Sequence, residues 1–142
     1  IYGTTGVGKT RQVMEQYGYD KCYRVTDYAH PFDGYKGQDV IIFEEFRNSL
    51  KIADMLVYLD GYPVELPCRY ANKQACFTKV YIISNWALEL QYPQIQAETP
   101  LTYQAWLRRI HTVRVFSDSG KYVDSTTQDY FKFKPVSVQW PT

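Results

Sequence analysis

Two unbroken apolar runs organise this chain, and each ends in polar chemistry. Val40-Ile41-Ile42-Phe43 leads directly into Glu44 and Glu45, and Val80-Tyr81-Ile82-Ile83 leads into Ser84 and Asn85. Runs without polar alternation predict strands buried on both faces, over Asp39–Phe43 and Val80–Ser84. Between them the spacing turns helical. Ile52, Leu56 and Leu59, with Ala53 and Val57 beside them, predict a helix over Ser49–Leu59, with Ser49 or Asn48 as its cap and Asp60-Gly61-Tyr62-Pro63 as its stop. A helix is expected over Lys9–Tyr17, with Val13 and Met14 toward a sheet, and another over Pro100–Ile110, with Thr99 as N-cap and Pro100 in the first position. Shorter strands are expected at Cys22–Val25 and Val113–Phe116. Val64–Tyr70 and Ala75–Lys79 read as the arms of a hairpin around Ala71-Asn72-Lys73-Gln74. His30–Gly37 is turn-rich, Trp86–Glu98 reads as irregular, and the segment after Ser117 as a weak terminal hairpin with Tyr130–Phe133. The order β, α, β, β, α, β, β, α, β predicts a three-layer α/β domain around a largely parallel sheet.

Chemistry sharpens this frame at the start of the chain. Gly3-Thr4-Thr5-Gly6-Val7-Gly8-Lys9-Thr10 satisfies G-x-x-x-x-G-K-[ST], the phosphate-binding loop called Walker A. Its glycines allow the backbone to turn N–H groups toward phosphate oxygens, and the following helix brings its positive end to the same place. Lys9 supplies a point charge for the β- and γ-phosphates, and Thr10 a hydroxyl for Mg²⁺. Only Ile1 and Tyr2 precede the loop, where a buried strand should feed it, so the expected object is a piece of a longer protein. Hydrolysis further requires a metal-side acid and a group that polarises water. Glu44 and Glu45 fill those places at a strand end, Glu44 toward Mg²⁺ and Glu45 toward water. Asn85, at the second strand tip, can donate and accept near the γ-phosphate without carrying charge.

Composition adds bounds. The 142 residues suit a single domain, and the formal net charge of +1 announces no global basic field, so any nucleic-acid site must be a local patch. No run approaches the ~18 apolar residues of a membrane helix. Cys22, Cys68 and Cys76 form no C-x-x-C pair and His30 and His111 no zinc spacing, so the cysteines are read as packing residues. Aromatic content is 17%, mostly from 14 tyrosines, read chiefly as packing. A GTPase would carry N-K-x-D, but Asn72-Lys73-Gln74-Ala75 lacks the Asp. A small-metabolite kinase would use an arginine lid, whereas Arg108-Arg109 sit in an apolar-periodic helix.

Taken together, the loop at 3–10, the apolar-Glu-Glu strand at 40–45, Leu56–Pro63, the Leu66–Phe77 hairpin and Ile83-Ser84-Asn85 resemble the superfamily 3 helicase domain of rolling-circle replication initiators. These are the Rep proteins of circular single-stranded DNA viruses and related bacterial plasmids. The resemblance covers residues 1 to about 116. It implies an AAA+-like P-loop NTPase fold truncated at its N-terminus, with 117–142 as a C-terminal tail. It implies ATP and Mg²⁺ as cofactors, single-stranded DNA as partner, and a homo-oligomeric ring, a hexamer. It assigns the hairpin to DNA, with Arg69 at the family's basic position and Lys73 and Lys79 as neighbours, and Arg109 to the arginine finger. Departures are Glu44 where Asp is commoner and Tyr70-Ala71 where the family has Gly-Gly. The family's nuclease domain is expected in the full-length protein and not in this segment. Localisation follows the source: the host nucleus for a virus of eukaryotes, the bacterial cytoplasm for a plasmid or phage. Alternatives are an RNA-virus superfamily 3 RNA helicase, a P-loop kinase of a small metabolite, or a nonenzymatic remnant.

Overall fold

The computed structural model describes residues 1–4 and 8–132. Thr5, Gly6 and Val7 of the phosphate loop, and Phe133 of the expected terminal hairpin, lie outside the described residues. The chain runs α1 (Lys9–Tyr17), β1 (Cys22–Val25), β2 (Val40–Phe43), α2 (Ile52–Tyr58), β3 (Glu65–Leu66), β4 (Lys73–Gln74), β5 (Lys79–Ile82), α3 (Pro93–Glu98), α4 (Pro100–Arg108), β6 (Thr112–Phe116), β7 (Tyr122–Thr126) and α5 (Thr127–Lys132). Single 3₁₀ turns at Tyr19–Lys21 and Leu88–Leu90 complete it.

The central sheet is parallel, in the order β1-β2-β5. Tyr2 extends it, bridging in parallel to Ser84 on one side and Val115 on the other. Its amide donates to Arg114 and its carbonyl accepts from Phe116, both at 2.9 Å. The residues that feed the phosphate loop therefore lie between β5 and β6, and β7 pairs antiparallel outside β6. Gly3 passes so close to β6 that a Cβ there would lie 2.8 Å from the Cβ of Phe116 and 3.1 Å from its carbonyl oxygen. Gly3→Ala is expected to lower stability by about 1–3 kcal/mol, as overpacking does, read from the midpoint of denaturant unfolding.

Strand β2 is buried on both faces, as its unbroken apolar run requires. Val40 and Ile42 join Val13, Cys22 and Ile83 under α1. Ile41 and Phe43 face a larger core with Phe32, Phe46, Met55, Tyr92, Tyr103, Trp106 and Leu107, covered by α2, α3 and α4. That gives helix, sheet and helices in three layers. Aromatic rings meet edge-on throughout the larger core, as at Tyr92–Trp106 with centroids 5.0 Å apart. Buried and half-buried tyrosines also pin loops: the hydroxyls of Tyr28, Tyr35, Tyr92 and Tyr103 donate to the carbonyls of Glu44, Gln38, Leu50 and Leu88. Among the described residues no helix is long and apolar enough to cross a membrane.

Several expected elements differ. Helix α2 begins at Ile52 without a side-chain cap. Ser49 instead accepts from the Arg47 amide, and Asn48 adopts a positive φ of 54° with its side chain bound to the Tyr92 amide. The hairpin is narrower than expected. β3 pairs with β4 in the register Glu65↔Gln74 and Leu66↔Lys73, and the residues after Cys76 leave it for the central sheet. Lys79 thus opposes Val40 at the start of β5, salt-bridged to Asp39 at 3.3 Å, and is not a hairpin residue. The stretch read as irregular contains α3, whose Gln96 is buried and donates to the carbonyls of Glu89 and Gln91. Tyr130 lies in α5, not in a strand, and packs with Phe131 into the larger core. Cys22 and Cys68 pack as expected, whereas Cys76 is exposed.

Candidate nucleotide site

Elements separated widely in sequence meet at the C-terminal edge of the parallel strands, where α/β folds bind ligands. Gly8 starts α1 in the left-handed region, with φ 84°, a conformation that favours glycine. The next residue, Lys9, is nearly buried. Its ammonium donates to the carbonyls of Gly3 (2.7 Å) and Thr4 (2.9 Å) and to Oδ1 of Asn85 (2.9 Å). Burial lowers the Lys9 pKa, opposed by the nearby Glu44 and Glu45 carboxylates. One residue further along the same helix start, the Thr10 hydroxyl donates to Oε1 of Glu44 at 2.6 Å. Three segments that the sequence singled out separately are therefore in direct contact.

Glu44 continues β2. Its amide donates to Val25 and its carbonyl accepts from the Tyr28 hydroxyl, so its backbone is fixed on both sides. The side chain is largely buried, and Arg24 of β1 approaches Oε1 to 3.5 Å. Arg24 was not anticipated: it is a single exposed position in a four-residue strand, and no sequence pattern marks it. Glu45 has the opposite character. It is exposed and adopts φ 46°, a costly conformation for a residue with a Cβ, while Phe46 returns to bond Ile83. The turn thus projects a carboxylate out of the sheet edge beside the Thr10–Glu44 pair.

A buried polar network ties the two strand tips together. Gln91 donates to the Phe46 carbonyl (2.9 Å) and to the Ser84 hydroxyl (3.2 Å), and accepts from the Asn48 amide (2.9 Å). Ser84 also donates to the Phe46 carbonyl. Sequence reasoning placed Gln91 in an irregular stretch and gave it no role. The turn beyond β6 reaches the loop as well, with the Thr4 hydroxyl donating to Asp118 at 2.9 Å.

Thr10 and Glu44 are hard oxygen donors already in contact, the donor chemistry that Mg²⁺ takes. The residues present therefore fit that ion.

The remaining sequence-predicted residues lie apart from this constellation. Arg109 caps the end of α4; its Nε donates to Asp60 (3.1 Å) and its guanidinium also to the Ala105 carbonyl (2.8 Å). Arg69 and Lys73 flank the exposed end of the β3–β4 hairpin, where the Tyr70 ring is 95% exposed and lies under the Arg69 guanidinium at 6.0 Å. Lys79 is at the opposite end of the sheet strands from Asn85, beside Tyr17.

The family described as RNA helicase matches residues 1–85. The chain is 34% identical over 101 residues to a replication-associated protein of beak and feather disease virus, covering 71% of this chain and 34% of that protein. It is 33% identical over 92 residues to one of canary circovirus, covering 65% of this chain and 31% of that protein. A third match, at 27% over 120 residues, is to one of goose circovirus. The chain spans about a third of the length of these curated relatives.

Proposed function

The chain belongs to the RNA helicase family, in the form carried by replication-associated proteins of circular single-stranded DNA viruses, and from that membership we propose that it hydrolyses ATP to translocate on single-stranded DNA. The observation that carries the reading is the convergence of Lys9 with Asn85 and of Thr10 with Glu44. Lys9 is the counter-charge for the β- and γ-phosphates, and the acceptors it now holds are those a phosphate would replace. Thr10 and Glu44 would hold Mg²⁺, which when bound neutralises charge on the phosphate oxygens. Glu45, exposed at the strained turn, aligns and polarises water. Asn85, hydrogen-bonded to Lys9, reports the γ-phosphate. Arg109 points away from its own site toward α2, which suits a finger that serves a neighbouring subunit in a ring. A ring of six subunits and a role in rolling-circle replication belong to the same proposal.

The hairpin supports the nucleic-acid part of this reading. Arg69 and Lys73 supply cations for the backbone, and the exposed Tyr70 a face for a base. Binding is measured by fluorescence anisotropy with a labelled oligo-dT and the RNA of the same length. Tyr70→Ala is expected to cost about 1–3 kcal/mol of DNA affinity at unchanged salt dependence. Arg69→Ala is expected to lower DNA affinity at any one salt concentration, because it removes a cation from the backbone contact. Equal binding by both variants and wild type would remove the hairpin from the interface, and binding confined to RNA would favour an RNA helicase instead.

A further inference from the structure

The hairpin's cations are already engaged. Arg69 donates from its main-chain N–H to Oδ1 of Asp33 at 3.1 Å and from Nε to Oδ2 at 2.5 Å. Lys73 donates to the carbonyl oxygen of Asp33, and to that of Phe32 at 3.3 Å. One residue thus occupies both oxygens of the carboxylate, much as an arginine and its backbone grip a phosphate. Asp33 does not ride on a loose loop. Phe32 is wholly buried, edge-on to Tyr58 at 5.1 Å and to Phe43 at 6.4 Å, one residue before Glu44. The Arg69 hydrogen bonds hold the Asp33 carboxyl below its usual pKa, so it is an oxyanion at neutral pH. The guanidinium side chain is still 54% exposed, so a second oxyanion can approach it from solvent.

We propose that Asp33 is part of the nucleic-acid interface: its carboxylate fills the position at Arg69 that a backbone phosphate of single-stranded DNA takes. Binding then exchanges one oxyanion for another, and Asp33 sets the affinity of the hairpin. This rests on the nucleic-acid reading of the hairpin given above. No sequence pattern announces it, since residue 33 lies 36 positions from residue 69. The exchange has a sign that can be measured. Breaking the internal pair returns a cation to Asp33 as DNA releases one, so the salt dependence of the wild type is shallower than the number of phosphate contacts implies.

The test is anisotropy of labelled oligo-dT at several salt concentrations, with wild type, Asp33→Asn, Arg69→Ala and the double variant. Asp33→Asn is expected to bind about three- to fivefold tighter, the scale of an exposed ion pair, with a salt slope steeper by about 0.7. In the Arg69→Ala background the gain should shrink to under about half, because the competed cation is gone. Asp33→Glu keeps the oxyanion, and it should bind within about twofold of wild type. An Asp33→Asn protein that binds as weakly as Arg69→Ala would make Asp33 a mere support of the hairpin and overturn the inference. Equal gains in both backgrounds would reduce it to long-range repulsion and overturn it too. If Arg69 governs binding and Asp33→Asn has no effect, this inference alone fails. If wild type and Arg69→Ala both ignore the oligonucleotide, the nucleic-acid reading itself fails.

Discussion

Lys9→Ala is expected to abolish ATP turnover and to weaken ATP binding about 30- to 150-fold, the scale of losing a charge-assisted contact of about 2–3 kcal/mol. The ammonium is nearly buried and bonded to the Gly3 and Thr4 carbonyls and to Asn85. It therefore holds the Gly3–Thr4 arm of the loop as well as carrying charge to phosphate. Lys9→Met separates the packing of the stem from the contacts of the ammonium. It keeps most of the stem's packing and removes the donors, so it should unfold closer to the wild-type midpoint than Lys9→Ala does and still show no turnover. Titration with a fluorescent ATP analogue reads binding, and phosphate release reads turnover. Wild-type turnover in either variant would remove Lys9 from the chemistry and leave its contacts as purely structural.

Arg109→Ala is expected to lower kcat by about 10³-fold or more while leaving nucleotide affinity within a few-fold, the pattern of an arginine finger. Its partners in the folded chain are Asp60 and Ala105. Because the ion pair with Asp60 is partly exposed, removing it should change stability by under about 1 kcal/mol. The kinetic loss then cannot be assigned to unfolding. If the finger acts across a subunit boundary, mixing Arg109→Ala protein with Lys9→Ala protein should restore part of the turnover that each lacks alone. A mixture as inactive as its components would argue against action in trans. An Arg109→Ala protein with unchanged kcat would dismiss the residue altogether.

What the sequence made legible is what chemistry forces to be contiguous. A phosphate loop needs its residues in order, and a doubly buried strand needs an unbroken apolar run. Cys22–Val25 and Val40–Phe43 are strands close to where those rules put them. Elements stabilised by contacts distant in sequence were harder to see. Helix α3 shows no apolar stripe because a buried glutamine secures it through side-chain bonds to main-chain carbonyls. In α5, adjacent Tyr130 and Phe131 resemble a strand, yet Thr126 accepts the Asp129 amide and starts a helix. The second hairpin arm is Lys73–Gln74, ahead of the expected Ala75–Lys79. Phe77 packs on Tyr35 instead, and Lys79 joins the central sheet.

The site divides the same way. Lys9, Thr10, Glu44, Glu45 and Asn85 each sit at a position a motif defines, and the fold gathers them at one sheet edge. Arg24, Gln91 and Asp33 sit at positions no local pattern distinguishes. Arg24 meets Glu44 only because β1 lies beside β2 in register, opposing Ile42. Gln91 matters only because the turns after β2 and β5 are stacked. Asp33 meets Arg69 only because Phe32 is anchored in the core.

The most direct measurement is steady-state ATP turnover by the protein with and without single-stranded DNA, at fixed salt and saturating Mg²⁺. The account predicts turnover that rises several-fold as oligo-dT is added and saturates with it. Turnover that is robust but indifferent to DNA, or a phosphoryl group passed to a small acceptor instead of water, would contradict it.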